Sequence, residues 1–373
     1  MLELVRAHDG DQELLERDAG ERRRRGVTFR EVAAGYPRWL EQVRGAKPST
    51  MRDHRSTLGE PGVAHRRGRG VTRGPIMAAL GDLPAREITT RQIEDVLASI
   101  DATGAAPRTV NKAREVMSAA FNYGMRPSAF GLPANPVTYA DRRAEPQAPT
   151  LAFFSPEQIE ALARALADGV HRGPRTRAVF PGEAAARADE DAQDAELVRI
   201  AAYAGLRQGE LMALRWRDID FVARKLVVSR AVSADVEVAS TKSRRAREVP
   251  LPDQAARALD RLSRREDFTG RDDYVFANRL GRRLDPSAVR HRYGRARDAA
   301  GLEPLRFHDL RHTYGSLLVA GGIDLASVKA AMGHARISTT ERYLHARPAT
   351  ELADRFTAAF AGAGSPTAPA EVV

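Results

Sequence analysis

With 373 residues the chain is too long for one typical core and suits about two domains. Its net charge of +10 and pI near 10.2 favour a polyanionic partner, although a merely soluble basic protein would carry the same balance. The absence of cysteine excludes a disulfide scaffold, a thiolate metal site and a cysteine nucleophile. The mixed-charge start MLELVRAHDGDQELLERD, and the lack of any run near the ~18 apolar residues of a membrane span, lead us to expect a cytosolic protein without signal peptide or membrane anchor.

Residues 1–25 are charge-dense and end in Arg22, Arg23, Arg24 and Arg25, a block expected to be solvated yet able to touch phosphate. A helical domain is predicted over 26–140. Thr28 with Glu31 is a capping-box signature, and Phe29, Val32, Ala33, Tyr36 and Leu40 follow at helical spacing, with Pro37 expected to kink that helix or delay its start. Further helices are predicted from Thr90 through Ile93, Val96, Leu97 and Ile100, and from Pro107 through Val110, Met117 and Phe121. The stretch GEPGVAHRRGRGVTRG, Gly59 to Gly74, holds five arginines or histidines among glycines and is expected to be a mobile basic loop. No strand is predicted in this half. From Arg126 to Thr150 come Pro127, Pro133, Pro136, Pro146 and Pro149, the composition of a semi-rigid linker, which we place at 141–150.

A second domain is predicted over 151–361. Ser155, Pro156 and Gln158 read as a helix start. The polar, breaker-rich stretch from Asp168 to Asp194 is expected to be an insertion or disordered loop, with a helix resuming near Ala195 and ending at Gly205. Strand composition appears over Lys225 to Arg230, Val236 to Ser240 and Glu248 to Leu251, and helices dominate from Pro252 to Gly362. The expected fold class is therefore mainly α with a small antiparallel β-sheet. Leu352, Phe356, Ala359 and Phe360 would give a last short helix an apolar face, and residues 362–373 a disordered tail.

Six polar residues in this half, Arg207, Lys242, His308, Arg311, His334 and Tyr343, make up a set able to cleave a DNA strand without a metal. A free phenol has a pKa of about 10, so only ~0.1% of Tyr343 would be ionised at neutral pH and attack needs a positive field and a proton acceptor. Arg207 and Arg311 offer forked donors to the non-bridging oxygens of a phosphodiester. Glu210, three residues after Arg207, could orient that guanidinium. Lys242 falls between two strand-like segments, where a hairpin tip would bring its ammonium to a departing 5′ oxygen as general acid; a solvated turn lysine is the other reading. Arg244, Arg245 and Arg247 suit DNA backbone contact. His308, Arg311 and His312 share one helix face, with His308 taken for proton transfer at Tyr343, His334 for the phosphate, and His312 and Asp309 for support. The helix reads HDLRH and not HExxH, and Arg311 between the two histidines would repel a cation, so no metal and no cofactor is expected. Asp218 and Asp220, in WRDIDF, are read as turn carboxylates.

The segments AGLRQGEL, ASTKSRRAREVPL, FHDLRHTYGSLL and MGHARISTTERYLHA together resemble the catalytic boxes of the tyrosine recombinase (phage integrase) family, with Tyr343 nine residues after His334 as the family's nucleophile is. The helical half, closing on Asn135 and Pro136, is similar more loosely to the family's core-binding (SAM-like) domain, which would precede an α+β catalytic domain. The resemblance implies a site-specific recombinase acting on double-stranded DNA sites as a homotetramer, through a 3′-phosphotyrosyl bond and a Holliday junction, for integration or excision of a mobile element. It further implies a bacterial-type, nucleoid-associated protein with room for DNA-bending or directionality accessory proteins, and a C-terminal helix docked into a neighbouring protomer, against the alternative of a helix packed on its own domain. A type IB topoisomerase and a non-catalytic DNA-binding accessory protein are the competing readings; the boxes and their order disfavour the first, the retention of all six residues the second.

Overall fold

A computed structural model describes residues 26–65, 70–146, 151–172, 181–233, 236–239 and 246–346. The chain divides into two compact units, one ending at Gln147 and the other beginning at Ala148. Among the described residues no helix is long and apolar enough to cross a membrane.

The first unit is built from α1 (Phe29–Gln42), α2 (Pro48–Thr57), α3 (Pro75–Leu80), α4 (Thr90–Asp101) and α5 (Pro107–Gly124). Capping boxes close the starts of α1 (Thr28 with Glu31) and α4 (Thr89 with Gln92), which satisfies amide donors that a helix start leaves unpaired. The helices enclose Phe29, Val32, Ile93, Leu97, Met117 and Phe121, each stabilising the unit by roughly 1.5–3 kcal/mol on burial. Phe29 and Phe121 stack with centroids 4.9 Å apart. Pro37 lies inside α1, where it forfeits one backbone bond. The helix continues past it because Tyr36 and Trp39 on either side pack against Tyr123.

Two expectations for this unit are corrected. The arms of the Gly59–Gly74 stretch are paired and not loose: the amide of Gly62 donates to the carbonyl of Thr72 (2.9 Å), Thr72 to Val63 (2.8 Å) and His65 to Gly70 (3.0 Å). Residues 66–69, at its centre, lie outside the described residues. The proline-bearing segment after α5 is likewise not loose: residues 126–140 belong to the helical core, Arg143 of the linker placed at 141–150 is also held, and residues 147–150 lie outside the described residues. Leu132, Val137 and Ala140 are buried in the core. The Asn135 amide reaches Ser118 and Asn122, Arg114 grips the carbonyls of Val137 and Ala140, and Asn111 holds Arg143 by its amide and carbonyl. Prolines there fix a path that polar side chains of α5 then hold down; composition alone does not reveal those partners.

The second unit contains α6 (Pro156–Ala167), α7 (Pro181–Ala204), α8 (Gln208–Leu211), β1 (Ile219–Asp220), β2 (Lys225–Val228), β3 (Arg230–Ser233), β4 (Val236–Ala239), β5 (Arg247–Pro250), α9 (Asp253–Ser263), α10 (Pro286–Ala299), α11 (Asp309–Ala320), α12 (Leu325–Met332) and α13 (Ser338–Glu341). Helix α7 is central, with α6, α9 and α11 packed on it. It begins fourteen residues before Ala195, which corrects the loop expected over Asp168–Asp194 from Pro181 onward; residues 173–180 of that stretch lie outside the described residues. Its first half is polar because its charges are matched within the fold. Glu183 pairs with Arg187 (2.7 Å), Glu190 and Asp191 with Arg172 (2.7 and 2.6 Å), and Asp194 with Arg292. An apolar periodicity cannot disclose a helix held by ion pairs from elsewhere in the chain.

The fold class is mainly α with small antiparallel β elements, and the β portion falls into two pieces. Strands β1, β2 and β5 form a three-stranded sheet in that order, with Leu226 opposite Val249. Strands β3 and β4 form a separate hairpin, Ser233 opposite Val236. The expected hairpin between the strands flanking Lys242 is not formed by β4 and β5, since β4 pairs with β3 and β5 with β2; Lys242 itself lies outside the described residues.

Candidate active site

The site is assembled where α8, β5, α11 and the turn after α12 converge. Helix α7 stops at Gly205, whose φ of +61° favours glycine, and a Cβ there would come within 2.2 Å of the Tyr314 ring. The turn places Arg207 just ahead of α8, its amide bonded to Glu210 (2.9 Å) and its guanidinium to the same carboxylate (2.9 Å). Helix α11 presents Arg311 and His312, with His308 at its start. Gly333 ends α12 in the left-handed conformation and delivers His334, and α13 brings Tyr343 back over α11.

Three arginines grip three successive carbonyls at the end of α12. Arg247 donates to Ala331 (3.3 Å), Arg311 to Met332, and Arg207 to Gly333 (3.4 Å). Arg311 also donates to the carbonyl of Gly205 and is 3% exposed. Burial and the neighbouring Arg207 pull its pKa down to about 9, so it stays cationic at neutral pH. Arg207 keeps 41% of its side chain exposed, which leaves it open to an anion from solvent. Burial would raise the carboxyl of Glu210, but Arg247 and Arg207 outweigh it and hold the pKa at about 2.

Tyr343 is fully buried. Its hydroxyl lies 2.9 Å from Nδ1 of His312, and its ring is nearly parallel to that of His334, 6.3 Å between centroids. Burial pushes the phenol above its usual range, opposed by Arg311, Arg342 and Arg207. Burial, with the adjacent His308, drops His312 to about 4; burial, with Arg311 and Arg207, does the same to His334. Both imidazoles are therefore neutral at pH 7, and an unprotonated Nδ1 of His312 can accept the phenolic proton. His334 is oriented by Thr340 (Nδ1 to Oγ1, 3.0 Å). The Tyr343 ring rests on Gly315, where a Cβ would meet Cε2 at 2.7 Å and Cζ at 2.8 Å.

Of the residues chosen from the sequence, Arg207, Glu210, Arg311, His334 and Tyr343 come together in this cluster. The partner of the Tyr343 hydroxyl, however, is His312 and not His308. His308 stands edge-on to His312 at 5.3 Å, and burial and Arg311 lower its pKa. Spacing places both histidines on one helix face and cannot rank them. Asp309 pairs with the Arg306 guanidinium (3.0 Å) and amide (2.7 Å), so it secures the start of α11. Arg247 is not placed for DNA backbone contact: its side chain is 10% exposed and both its outer nitrogens bond Glu210 (2.7 and 2.6 Å). Lys242, Arg244 and Arg245 lie outside the described residues, as do Leu352, Phe356, Ala359 and Phe360. Asp218 and Asp220 are committed to their turn, Asp218 to the Arg215 amide and Arg230, Asp220 to the Ala223 amide. Gly315 and Thr340 escaped the sequence reading. A glycine inside a helical run such as HTYGSLL, at a cost of roughly 1 kcal/mol against alanine, was the available signal for the first.

Residues 155–350 match the sequence profile of the phage integrase family. A tyrosine recombinase XerC-like protein of Caldanaerobacter subterraneus subsp. tengcongensis is 30% identical over 221 residues, 52% of this chain and 50% of that protein, so the match spans about half its length. Among solved structures, the Tn1549 transposon integrase in complex with transposon right end DNA aligns with a TM-score of 0.63 at 18% identity, covering 90% of this chain and 100% of that one. A lambda integrase tetramer bound to a Holliday junction aligns with a TM-score of 0.60 at 20% identity, covering 87% and 78%. At such identities these structures speak to the fold.

Proposed function

Because this chain belongs to the phage integrase family, we propose that it is a tyrosine recombinase that cuts and rejoins specific DNA sites by transesterification at Tyr343. The observation that carries the proposal is the 2.9 Å bond between the Tyr343 hydroxyl and His312 beside the buried Arg311 and the part-exposed Arg207. In the first step the Tyr343 oxygen attacks the scissile phosphorus while its proton passes to Nδ1 of His312. Charge accumulating on the non-bridging oxygens is met by Arg207 and Arg311, with His334 donating a further hydrogen bond. The P–O5′ bond breaks, Lys242 protonates the departing oxygen, and a 3′-phosphotyrosyl bond remains. A 5′ hydroxyl from a partner duplex then attacks that bond in the reverse sense. Since the phosphotyrosine stores the bond energy, neither ATP nor a metal is needed, and the arginines take the electrostatic role a metal would have.

Sequential exchanges would pass through a Holliday junction on a tetramer holding two sites, for integration or excision of a mobile element. The alignment to an integrase tetramer on such a junction supports that arrangement. The test is a nicked duplex, which loses its short 5′-hydroxyl fragment after cleavage and traps the adduct. Wild type should accumulate covalent DNA in the presence of chelator and Tyr343→Phe should bind the duplex without doing so; covalent DNA in the Phe variant would refute the assignment.

A further inference from the structure

Arg247 stands at a junction that none of the proposed catalytic steps uses. It opens β5, where it is opposite Val228, and it is the first described residue but one after the segment containing Lys242. Its two outer nitrogens make a bidentate pair with Glu210, 1% exposed, while its Nε reaches the carbonyl of Ala331. Glu210 in turn holds both the amide and the guanidinium of Arg207. Ala331 precedes by three residues the histidine that faces Tyr343. One side chain thus ties together α8 with Arg207, the strand following Lys242, and the helix end that delivers His334.

We infer that Arg247 is a positioning residue for the phosphate clamp, fixing Arg207 through Glu210 and setting the turn that carries His334. The inference rests on the reading of Arg207 as a phosphate ligand. Two arginines side by side repel, and the shared carboxylate offsets that repulsion at a defined geometry. A planar fork is required, because an ammonium makes no parallel pair of bonds with both oxygens. Glu210 without this partner would rotate and release the Arg207 guanidinium toward solvent. A displacement of about 1 Å in a charge-bearing group costs on the order of 10²-fold in rate.

The experiment compares wild type, Arg247→Lys, Glu210→Gln and the double variant in single-turnover adduct formation on nicked duplexes. One duplex carries a phosphodiester at the scissile position and the other a methylphosphonate, which lacks the non-bridging negative charge that Arg207 would neutralise. Duplex affinity and thermal melting are recorded alongside. Arg247→Lys should bind DNA as wild type does, lose ~10- to 100-fold in adduct formation on the phosphodiester, and lose much less on the methylphosphonate. Glu210→Gln should show the same substrate-selective loss, and the double variant should lose little beyond the larger single, since both act through one contact. Should Arg247→Lys fail to fold, Glu210→Gln carries the comparison of substrates alone. Wild-type rates in the variants, equal losses on both substrates, or weakened binding with an unchanged rate at saturation would overturn the inference. Absence of any Tyr343-dependent adduct from wild type would instead overturn the proposed function, and the inference with it.

Discussion

Gly315 offers a perturbation whose effects on stability and on chemistry should separate. Its Cβ position lies 2.7 Å from Cε2 and 2.8 Å from Cζ of Tyr343 and 3.0 Å from Sδ of Met332. Ordinary carbon contacts begin at roughly 3.5 Å, so alanine must push the ring away by about 0.8 Å. That displacement acts along the side of the ring facing α11, which also carries His312, and it breaks the register of the 2.9 Å hydroxyl contact. Overpacking of this kind costs about 1–3 kcal/mol, while replacing a mid-helix glycine by alanine returns roughly 1 kcal/mol. Gly315→Ala should therefore melt near wild type or slightly below it, yet form the phosphotyrosyl adduct ~10²-fold more slowly. Gly294 in α10 is the control, because a Cβ there meets nothing within 4 Å; Gly294→Ala should stabilise modestly and leave adduct formation unchanged. Single-turnover kinetics on a nicked duplex, with melting curves for both variants, make the comparison. A Gly315→Ala variant with the wild-type adduct rate would refute the seating of Tyr343 on α11.

Three further outcomes are expected. His312 and His334, held near 4 by burial and neighbouring cations, bind protons more readily when unfolded, so stability is full above about pH 6.5 and declines as pH falls toward 4; melting temperature against pH should show a shallower decline in His312→Asn and His334→Asn, and an unchanged slope would contradict the buried neutral imidazoles. The Tyr343 phenol, raised by burial, should ionise above the usual tyrosine range in the DNA-free protein, as measured by ultraviolet difference titration of wild type against Tyr343→Phe, and a lower midpoint would show that the arginines prevail over burial. Arg292→Ala should destabilise the protein by about 3–5 kcal/mol in denaturant unfolding, because it leaves Asp194 buried without its counter-ion; Asp194→Asn in the same chain should restore part of the loss.

How much the sequence disclosed follows from where each signal resides. Local chemistry was legible: the Thr28 and Ser155 capping boxes form as their spacing requires, and α7 ends at Gly205. Arg207, Arg311, His334 and Tyr343 could be singled out as candidates because each stands in a contiguous box of the chain, and the fold brings them into one cluster. Long-range pairing was not legible. The polar start of α7 is a helix because Arg172 and Arg292 neutralise it, and neither arginine lies within its span. The choice between His308 and His312 depends on which turn of α11 meets a tyrosine thirty-one residues later. Arg247 reads in sequence as one more basic residue in a basic run, and its burial against Glu210 emerges only from the fold.

The most direct measurement is to identify the residue that holds the DNA. Wild-type protein is trapped on a nicked duplex, digested with nuclease and protease, and the nucleotide-bearing peptide is sequenced by mass spectrometry. The added 3′-linked nucleotide mass should fall on Tyr343 within the peptide containing ISTTERYLHA, with no other tyrosine modified. Attachment to any other side chain, or no covalent DNA on a duplex that the protein demonstrably binds and cuts, would contradict Tyr343 as the nucleophile.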